Sequence, residues 1–488
     1  MQGAVPKCMQ VSALLLWGIQ QSIEKETKYM HRKKWSIRWD TMKILVFGFL
    51  GVIFLGGFLL WLPVCNRQPI AFMDALFTSV TAVCVTGLVT ITPAVQFTLL
   101  GKVILLILIQ VGGLGVIGCA TAFFLILRKK ITVKERVVLQ ETYNMDKLGG
   151  MVGMVKKVII GTFVVEGAGA LFYSFQFVPE YGVIRGIWYS VFHSISAFCN
   201  AGIDILGSGS FTKYAGNPLI NITTMLLIIL GGLGFTVWFD VIGNGKKIYK
   251  HEVPRKWWFT RLKLQSRLVL LATVSLIVLG AVLVFVLEYR NPDTLGGMSL
   301  GEKVMASFFQ SVTNRTAGYA TISQSGLHTE TKLVNSILMF IGGSPGGTAG
   351  GVKTTTFVML FLGCMTFVKG GNDIECLGRK ISTENFRSGF AVTVLAVSAY
   401  LVGIFLILTF ESDQIAAIDV IYEASSAIGT VGLTADLTPN LTRLSQAVLM
   451  ILMYIGRIGP VTLMLVFAGK MNPRDKIREL PKERIMVG

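Results

Sequence analysis

The chain has 488 residues, of which 52% are hydrophobic and 15% charged, and its mean hydropathy is +0.64. So little polar surface cannot cover a soluble globule of this size, and the chain reads as an integral membrane protein. A net charge of +18 would suit a nucleic-acid binder, but the distribution of that charge argues against one.

Of the 45 lysines and arginines, 35 lie in the five segments 1–43, 128–157, 246–267, 353–387 and 470–488. The positive-inside rule places all five, with both termini, in the cytoplasm. The four intervals between them, 62–102, 178–224, 287–334 and 411–446, hold nine basic residues against twelve acidic ones.

Residues 1–40 read as a cytoplasmic extension. Its apolar patch at 11–19 is short for a signal peptide and lacks a strongly basic flank, and Met30 begins a more typical start, so 1–29 is expected to be dispensable. Apolar runs of about 20 residues, enough to cross roughly 30 Å of hydrocarbon, then occur near 43–64, 97–127, 154–178, 219–242, 267–289, 332–362, 389–411 and 445–469. These eight spans fall in pairs into four units, 41–130, 131–245, 246–368 and 369–470, followed by a cytoplasmic tail at 471–488. Each unit must leave the cytoplasm and return, so the segment between its spans re-enters the membrane without crossing it. The fold expected is an all-α membrane protein of four pseudo-repeated span, pore helix, filter loop, span units around a central ion pore.

The re-entrant segments 71–82, 186–198, 302–313 and 415–428 are long enough for a helix of about 18 Å, half a membrane. Each leads into a short glycine-bearing segment: Cys84-Val85-Thr86-Gly87-Leu88, Cys199-Asn200-Ala201-Gly202-Ile203, Arg315-Thr316-Ala317-Gly318-Tyr319 and Gly429-Thr430-Val431-Gly432-Leu433. The last glycines of the four motifs are 115, 116 and 114 residues apart, and a fixed period marks a repeated unit. Irregular backbone at membrane depth is tolerated only where protein buries it or it lines a cavity. A half-helix entering from outside turns its negative end to the bilayer centre and favours a cation. The loop after it offers carbonyls that can replace a hydration shell. The candidate ion-binding residues are Val85, Thr86, Gly87, Asn200, Ala201, Gly202, Thr316, Ala317, Gly318, Thr430, Val431 and Gly432. Any one such match is weak, because glycine also serves close helix packing; four at equal spacing are not.

A second glycine pattern follows in each unit, at 110–115, 230–234, 340–347 and 454–460. The third copy is the odd one, running Gly342, Gly343, Ser344, Pro345, Gly346, Gly347, Thr348, Ala349, Gly350 and Gly351, which cannot hold a stable helix. It is expected mid-membrane below the filter as a candidate gate, against the plainer reading of a packing kink. The valine before Lys353 spoils a phosphate-loop match, and no strand precedes it. Arg457 occupies the matching place in the fourth unit and is expected to tether that loop or set an electrostatic barrier. Glu166 stays open between a structural hydrogen bond and a coupling role. His193 reads as a buried hydrogen-bonding side chain, Asp419 and Glu423 as acids at the outer mouth, and Trp257-Trp258-Phe259 as an interfacial belt. The seven cysteines form no CxxC or Cys/His cluster, so neither a disulfide framework nor a metal-binding cluster is expected.

With these residues in hand, the chain resembles the membrane subunit of Ktr-type potassium uptake systems (KtrB-like), in the Trk/Ktr/HKT superfamily, over about residues 40–470. The resemblance rests on 83–88, 199–204, 314–319 and 430–433, on 341–355, and on 455–460 with its arginine. It implies a plasma-membrane potassium channel or transporter with K+ at the filter and a selecting glycine at Gly87, Gly202, Gly318 and Gly432. It also implies a homodimer seated on a cytosolic ring of KtrA-like subunits that bind nucleotide. Na+ enters as a candidate activator, and no organic cofactor is expected on this chain. A K+/Na+ symporter is the alternative; that class usually carries inverted repeats and broken spans in pairs, whereas one broken span favours a pore. An intramembrane enzyme is disfavoured, since HExxH, GxSxG and paired intramembrane carboxylates are missing.

Overall fold

The computed structural model describes residues 43–115, 118–119, 151–207, 209–252, 254–371, 373–412 and 415–467. The expected N-terminal extension, the C-terminal tail, most of the basic segment 128–157 and the end of the second span lie outside the described residues. The described chain is mostly helical, with a short two-strand pairing of Glu375–Cys376 with Arg379–Lys380.

Among the described residues, four helices are long and apolar enough to cross a membrane: Lys43–Trp61, Gly153–Tyr181, Leu264–Glu288 and Thr383–Phe410. At most 33% of the most apolar window of each is buried. Their outward faces carry large apolar side chains such as Phe54, Phe175, Val286 and Phe405, as suits a surface solvated by lipid. Inside them sit four shorter helices, Phe72–Val83, Val183–Phe198, Leu300–Thr313 and Ala417–Gly429. The C-terminal half of each is largely buried and rich in Ser, Thr and Ala. The molecule therefore keeps its small polar residues at the centre and its apolar bulk outside.

One contact locks each short helix to the long helix before it. Ser79 donates to the carbonyl of Ile53 at 2.7 Å, Ser194 to Glu166 at 2.6 Å and Ser311 to Ile277 at 2.7 Å. Three residues further along each long helix is a glycine, Gly56, Gly169 or Gly280, where a β-carbon would strike that same serine. Gly403 keeps its place in the fourth set, but Ser425 pairs there with the Tyr400 hydroxyl at 2.8 Å. Small residues let the backbones approach, and the hydroxyl then finds its acceptor without water. At the N-terminal end of Leu300–Thr313, Ser299 and Glu302 form a reciprocal capping box. Those bonds from the Ser299 amide and hydroxyl hold the Glu302 carboxyl below its usual range.

The returning helices correct the expectation that only the third is broken. Leu99–Leu114 ends at Gly115 (φ 81°, ψ 140°), Pro218–Leu233 at Gly234 (φ 88°, ψ 138°) and Arg443–Ile458 at Gly459 (φ 94°, ψ 135°). These are nearly one backbone conformation, in the region that glycine enters without a Cβ clash. After Gly234 the chain turns by 99° into Phe235–Tyr249. The third return, Thr329–Phe340 and then Thr354–Val368, is interrupted instead by the irregular stretch from Ile341 to Lys353. The difference is one of degree: a single glycine breaks three helices, and a run of glycine, serine and proline breaks the fourth.

Candidate functional site

The carboxyl ends of the four short helices converge, and the glycine segments follow them directly. In each segment two residues have positive φ, two positions apart with one residue between them. They are Val85 (50°) and Gly87 (107°), Asn200 (58°) and Gly202 (61°), Thr316 (71°) and Gly318 (84°), and Thr430 (52°) and Gly432 (95°). Thr86, Ala201, Ala317 and Val431 between them keep negative φ. Alternating handedness turns successive carbonyls to one side of the chain, the arrangement a carbonyl-lined ion site requires. Val85, Thr316 and Thr430 are β-branched, for which positive φ is costly, about 1–3 kcal/mol each.

The segments close into a ring. A β-carbon on Gly87 would lie 2.7 Å from the carbonyl oxygen of Ala201, and one on Gly318 2.5 Å from that of Val431. Gly202 faces the Ala317 carbonyl and Gly432 the Thr86 carbonyl more closely still. Each glycine thus makes room for the oxygen of the next segment, and the fourth returns to the first. All twelve candidate residues are brought together here.

The segment amides point away from the ring. Thr86 N bonds to Thr81 O and Val431 N to Ser426 O, both at 2.8 Å. Gly87 N donates to Thr81 Oγ1 and Gly432 N to Ser426 Oγ, both at 2.9 Å. In the other two segments the hydroxyl is the donor, from Ser196 to Ile203 O at 2.7 Å and from Thr313 to Tyr319 O at 2.6 Å. These four hydroxyls were not singled out in the sequence, although each lies five or six residues before its glycine. Behind the third segment, Asn314 donates to Asn335 Oδ1 at 2.7 Å, and Gln310, Gln324 and Tyr422 form a second set of buried hydrogen bonds.

The stretch from Gly342 to Gly351 lies against the first residues of these segments. Gly350 abuts the Thr430 side chain, and Thr348 Oγ1 donates to Phe198 O at 3.1 Å. Three of its amides bond to carbonyls near neighbouring breaks: Ser344 N and Thr348 N reach Gly232 O (2.9 Å) and Gly231 O (3.1 Å), and Gly351 N reaches Gly456 O (3.2 Å). Arg457 donates from Nη1 to Thr348 O and from Nη2 to Gly112 O, with Gly113 O at 3.3 Å. One guanidinium therefore spans from the irregular stretch to the break of the first returning helix. Lys353 folds back to donate to Ala349 O at 2.7 Å.

The second glycine pattern has a second duty besides breaking helices. A β-carbon on Gly112, Gly231 or Gly456 would collide with the carbonyl of Val83, Phe198 or Ile428, at the end of a short helix. Close approach, not flexibility, requires these three.

Other residues resolve individually. Glu166 is buried and accepts from Gln110 Nε2 at 3.1 Å, with the Cys199 thiol at 3.9 Å. His193 is buried, with Nδ1 2.7 Å from Tyr189 O and Nε2 accepting from Ile205 N. Glu423 is not an acid open to the outer mouth: it is fully buried and accepts from Thr434, Ala435 N (3.1 Å) and Thr438 (2.7 Å). Asp419 pairs with Lys332 at 2.7 Å. Helix position alone could not separate a surface acid from one that ties down the chain beyond Gly432.

The family model for TrkH, cation transport protein, matches residues 12–480. The chain is 37% identical to Ktr system potassium uptake protein B of Bacillus subtilis over 89% of this chain and 94% of the relative. It is 36% identical to the potassium/sodium uptake protein NtpJ of Enterococcus hirae over 94% of this chain and 99% of the relative. The crystal structure of the potassium transporter TrkH from Vibrio parahaemolyticus superposes with a TM-score of 0.67 at 18% identity, covering 89% of this chain and 85% of that one. The chain belongs to the TrkH family of cation transport proteins.

Proposed function

We propose that this chain is the membrane subunit of a plasma-membrane potassium uptake system, built from units 41–130, 131–245, 246–368 and 369–470 with both termini cytoplasmic. K+ passes the carbonyls of Val85 to Gly87, Asn200 to Gly202, Thr316 to Gly318 and Thr430 to Gly432. The stretch 342–351 is the gate, Arg457 is its tether, and a homodimer sits on a cytosolic ring of nucleotide-binding subunits that moves the inner helices. The observation that carries the reading is the closed ring in which each glycine accommodates the next segment's carbonyl. Four helix C-termini facing that ring add negative potential for a cation. Relatives named for potassium uptake support the choice of ion.

The test is rubidium uptake in potassium-starved cells that lack other uptake systems. Expression of the chain should restore uptake, and Gly318→Ser should lower the preference for Rb+ over Na+. An unchanged preference removes the filter assignment.

The relative named for potassium and sodium uptake favours a second reading, a K+/Na+ symporter. The glycine breaks at 115, 234 and 459 weaken the argument for a pore from one broken span. Strict dependence of Rb+ entry on Na+ with a fixed stoichiometry selects the symporter, and Rb+ current without Na+ selects the pore.

A further inference from the structure

Arg315 stands directly before Thr316 in the third glycine segment, and the ring leaves it without a role. The residue is only 8% exposed. Nη1 donates to Thr273 O at 3.2 Å, and Nε has no partner. No carboxylate lies within ion-pair distance among the described residues. The guanidinium lines a small cavity between Pro218–Leu233, Leu264–Glu288 and the end of Leu300–Thr313, with Gly343 of the irregular stretch at its edge. The remaining walls are largely aliphatic and none is charged. Thr273, 6% exposed, also lines the cavity, and its Oγ1 likewise has no partner. The space is about 10 Å³, room for the centre of one water-sized particle.

A buried guanidinium with an orphan N–H and a threonine with an orphan hydroxyl therefore border one small cavity. A guanidinium cannot shed its proton to escape burial, and an uncompensated buried charge is far more costly than a paired one. A neutral water could take the two hydrogen bonds but would leave the charge. We propose that this cavity is a binding site for one monatomic anion of the halide class, held by Arg315 with the Thr273 hydroxyl as second donor. The ion neutralises a positive charge that otherwise stands one residue from the third carbonyl segment.

Bromide is the probe, and its binding is read without reference to transport, so the site and the proposed filter can fail separately. Crystals of the full chain grown in potassium bromide should give an anomalous bromine peak within hydrogen-bond reach of the Arg315 guanidinium. In detergent, the thermal midpoint should rise on replacing gluconate, too large to enter, with bromide. Arg315→Gln should abolish both signals. Thr273→Val, which keeps the charge and the shape, should weaken half-saturation by about three- to tenfold, as expected for one neutral hydrogen bond. No peak together with an anion-independent midpoint in the native chain means that the cavity holds water only, and overturns the proposal. A Thr273→Val variant that binds bromide like the native chain removes the hydroxyl from the site.

Discussion

The carbonyl oxygen of Ala201 lies 2.7 Å from where a β-carbon on Gly87 would stand. The two residues are 114 positions apart in the chain, yet the backbone oxygen of one limits what the other can be. Gly87→Ser must push the Ala201 carbonyl away, with loss of ring geometry at two segments. The expected result is a fall of at least about tenfold in the preference for Rb+ over Na+, the equivalent of 1.4 kcal/mol. Gly432→Ser, whose β-carbon would crowd the Thr86 carbonyl more tightly, should be at least as severe. Competition of Na+ with Rb+ uptake measures both, and a native ratio in either variant counts against the carbonyl ring as the selecting element.

The hydroxyls at the ends of the short helices hold the segment backbone from behind. Ser426→Ala removes the acceptor for Gly432 N, and Thr81→Val the acceptor for Gly87 N. A net hydrogen bond contributes about 1 kcal/mol, so the ion preference should drop by roughly fivefold with little change in expression. Equal uptake ratios with a lowered thermal midpoint would mean that the hydroxyls support the fold without shaping the ring.

Arg457 joins two separate carbonyl sites through the two arms of one guanidinium. Arg457→Gln should free the stretch 342–351 and raise Rb+ leak in vesicles that contain this chain alone. Arg457→Lys keeps the charge but offers a point donor in place of a fork, so it should leak to an intermediate degree. If Lys behaves as native while Gln leaks, charge and not bridging is what matters; if neither leaks, the tether has no gating role.

Arg443 grips Asp74 through two hydrogen bonds of 2.5 and 3.0 Å. The pair ties the fourth returning helix to the first short helix. The arginine side chain is 55% exposed, so solvent screening reduces the coupling to about 0.2–1 kcal/mol. A double-mutant cycle with Asp74→Asn and Arg443→Gln, read by thermal midpoint, should show this value shrinking with added salt. A coupling that ignores salt would mark the pair as shielded in the membrane-embedded protein.

Glu423 offers the opposite case. Its replacement by Ala would leave Thr434 Oγ1, Ala435 N and Thr438 Oγ1 without their acceptor inside the protein. Unsatisfied buried groups cost about 1–3 kcal/mol each, so Glu423→Ala should accumulate poorly, whereas Glu423→Gln, which retains an acceptor oxygen, should recover most of the yield. Comparable yields for the two variants would refute this structural role.

Much of the architecture is legible in the residues. Apolar length locates Lys43–Trp61, Gly153–Tyr181, Leu264–Glu288 and Thr383–Phe410, and the half-length runs before each glycine segment match the four short helices within three residues at either end. The reason is local: hydrocarbon thickness fixes the length of a spanning helix whatever surrounds it. The breaks at Gly115, Gly234 and Gly459 were less legible, because a glycine that ends a helix and one that admits a neighbouring carbonyl have the same letter. Gly112 and Gly115 do those two different jobs three residues apart.

What the chain by itself determines is the membrane environment, the recurrence of the glycine segments and the positions where backbone must be irregular, since each follows from apolar length, spacing and the conformational range of single residues. Only the tertiary structure decides that Ala201 O meets Gly87, that Arg457 reaches both Thr348 and Gly112, that Glu423 turns inward and that Arg315 faces a cavity without a carboxylate. Those facts depend on which atoms far apart in sequence are packed against one another, and in a molecule with small polar residues at its centre a displacement of one helix turn would exchange every such partner.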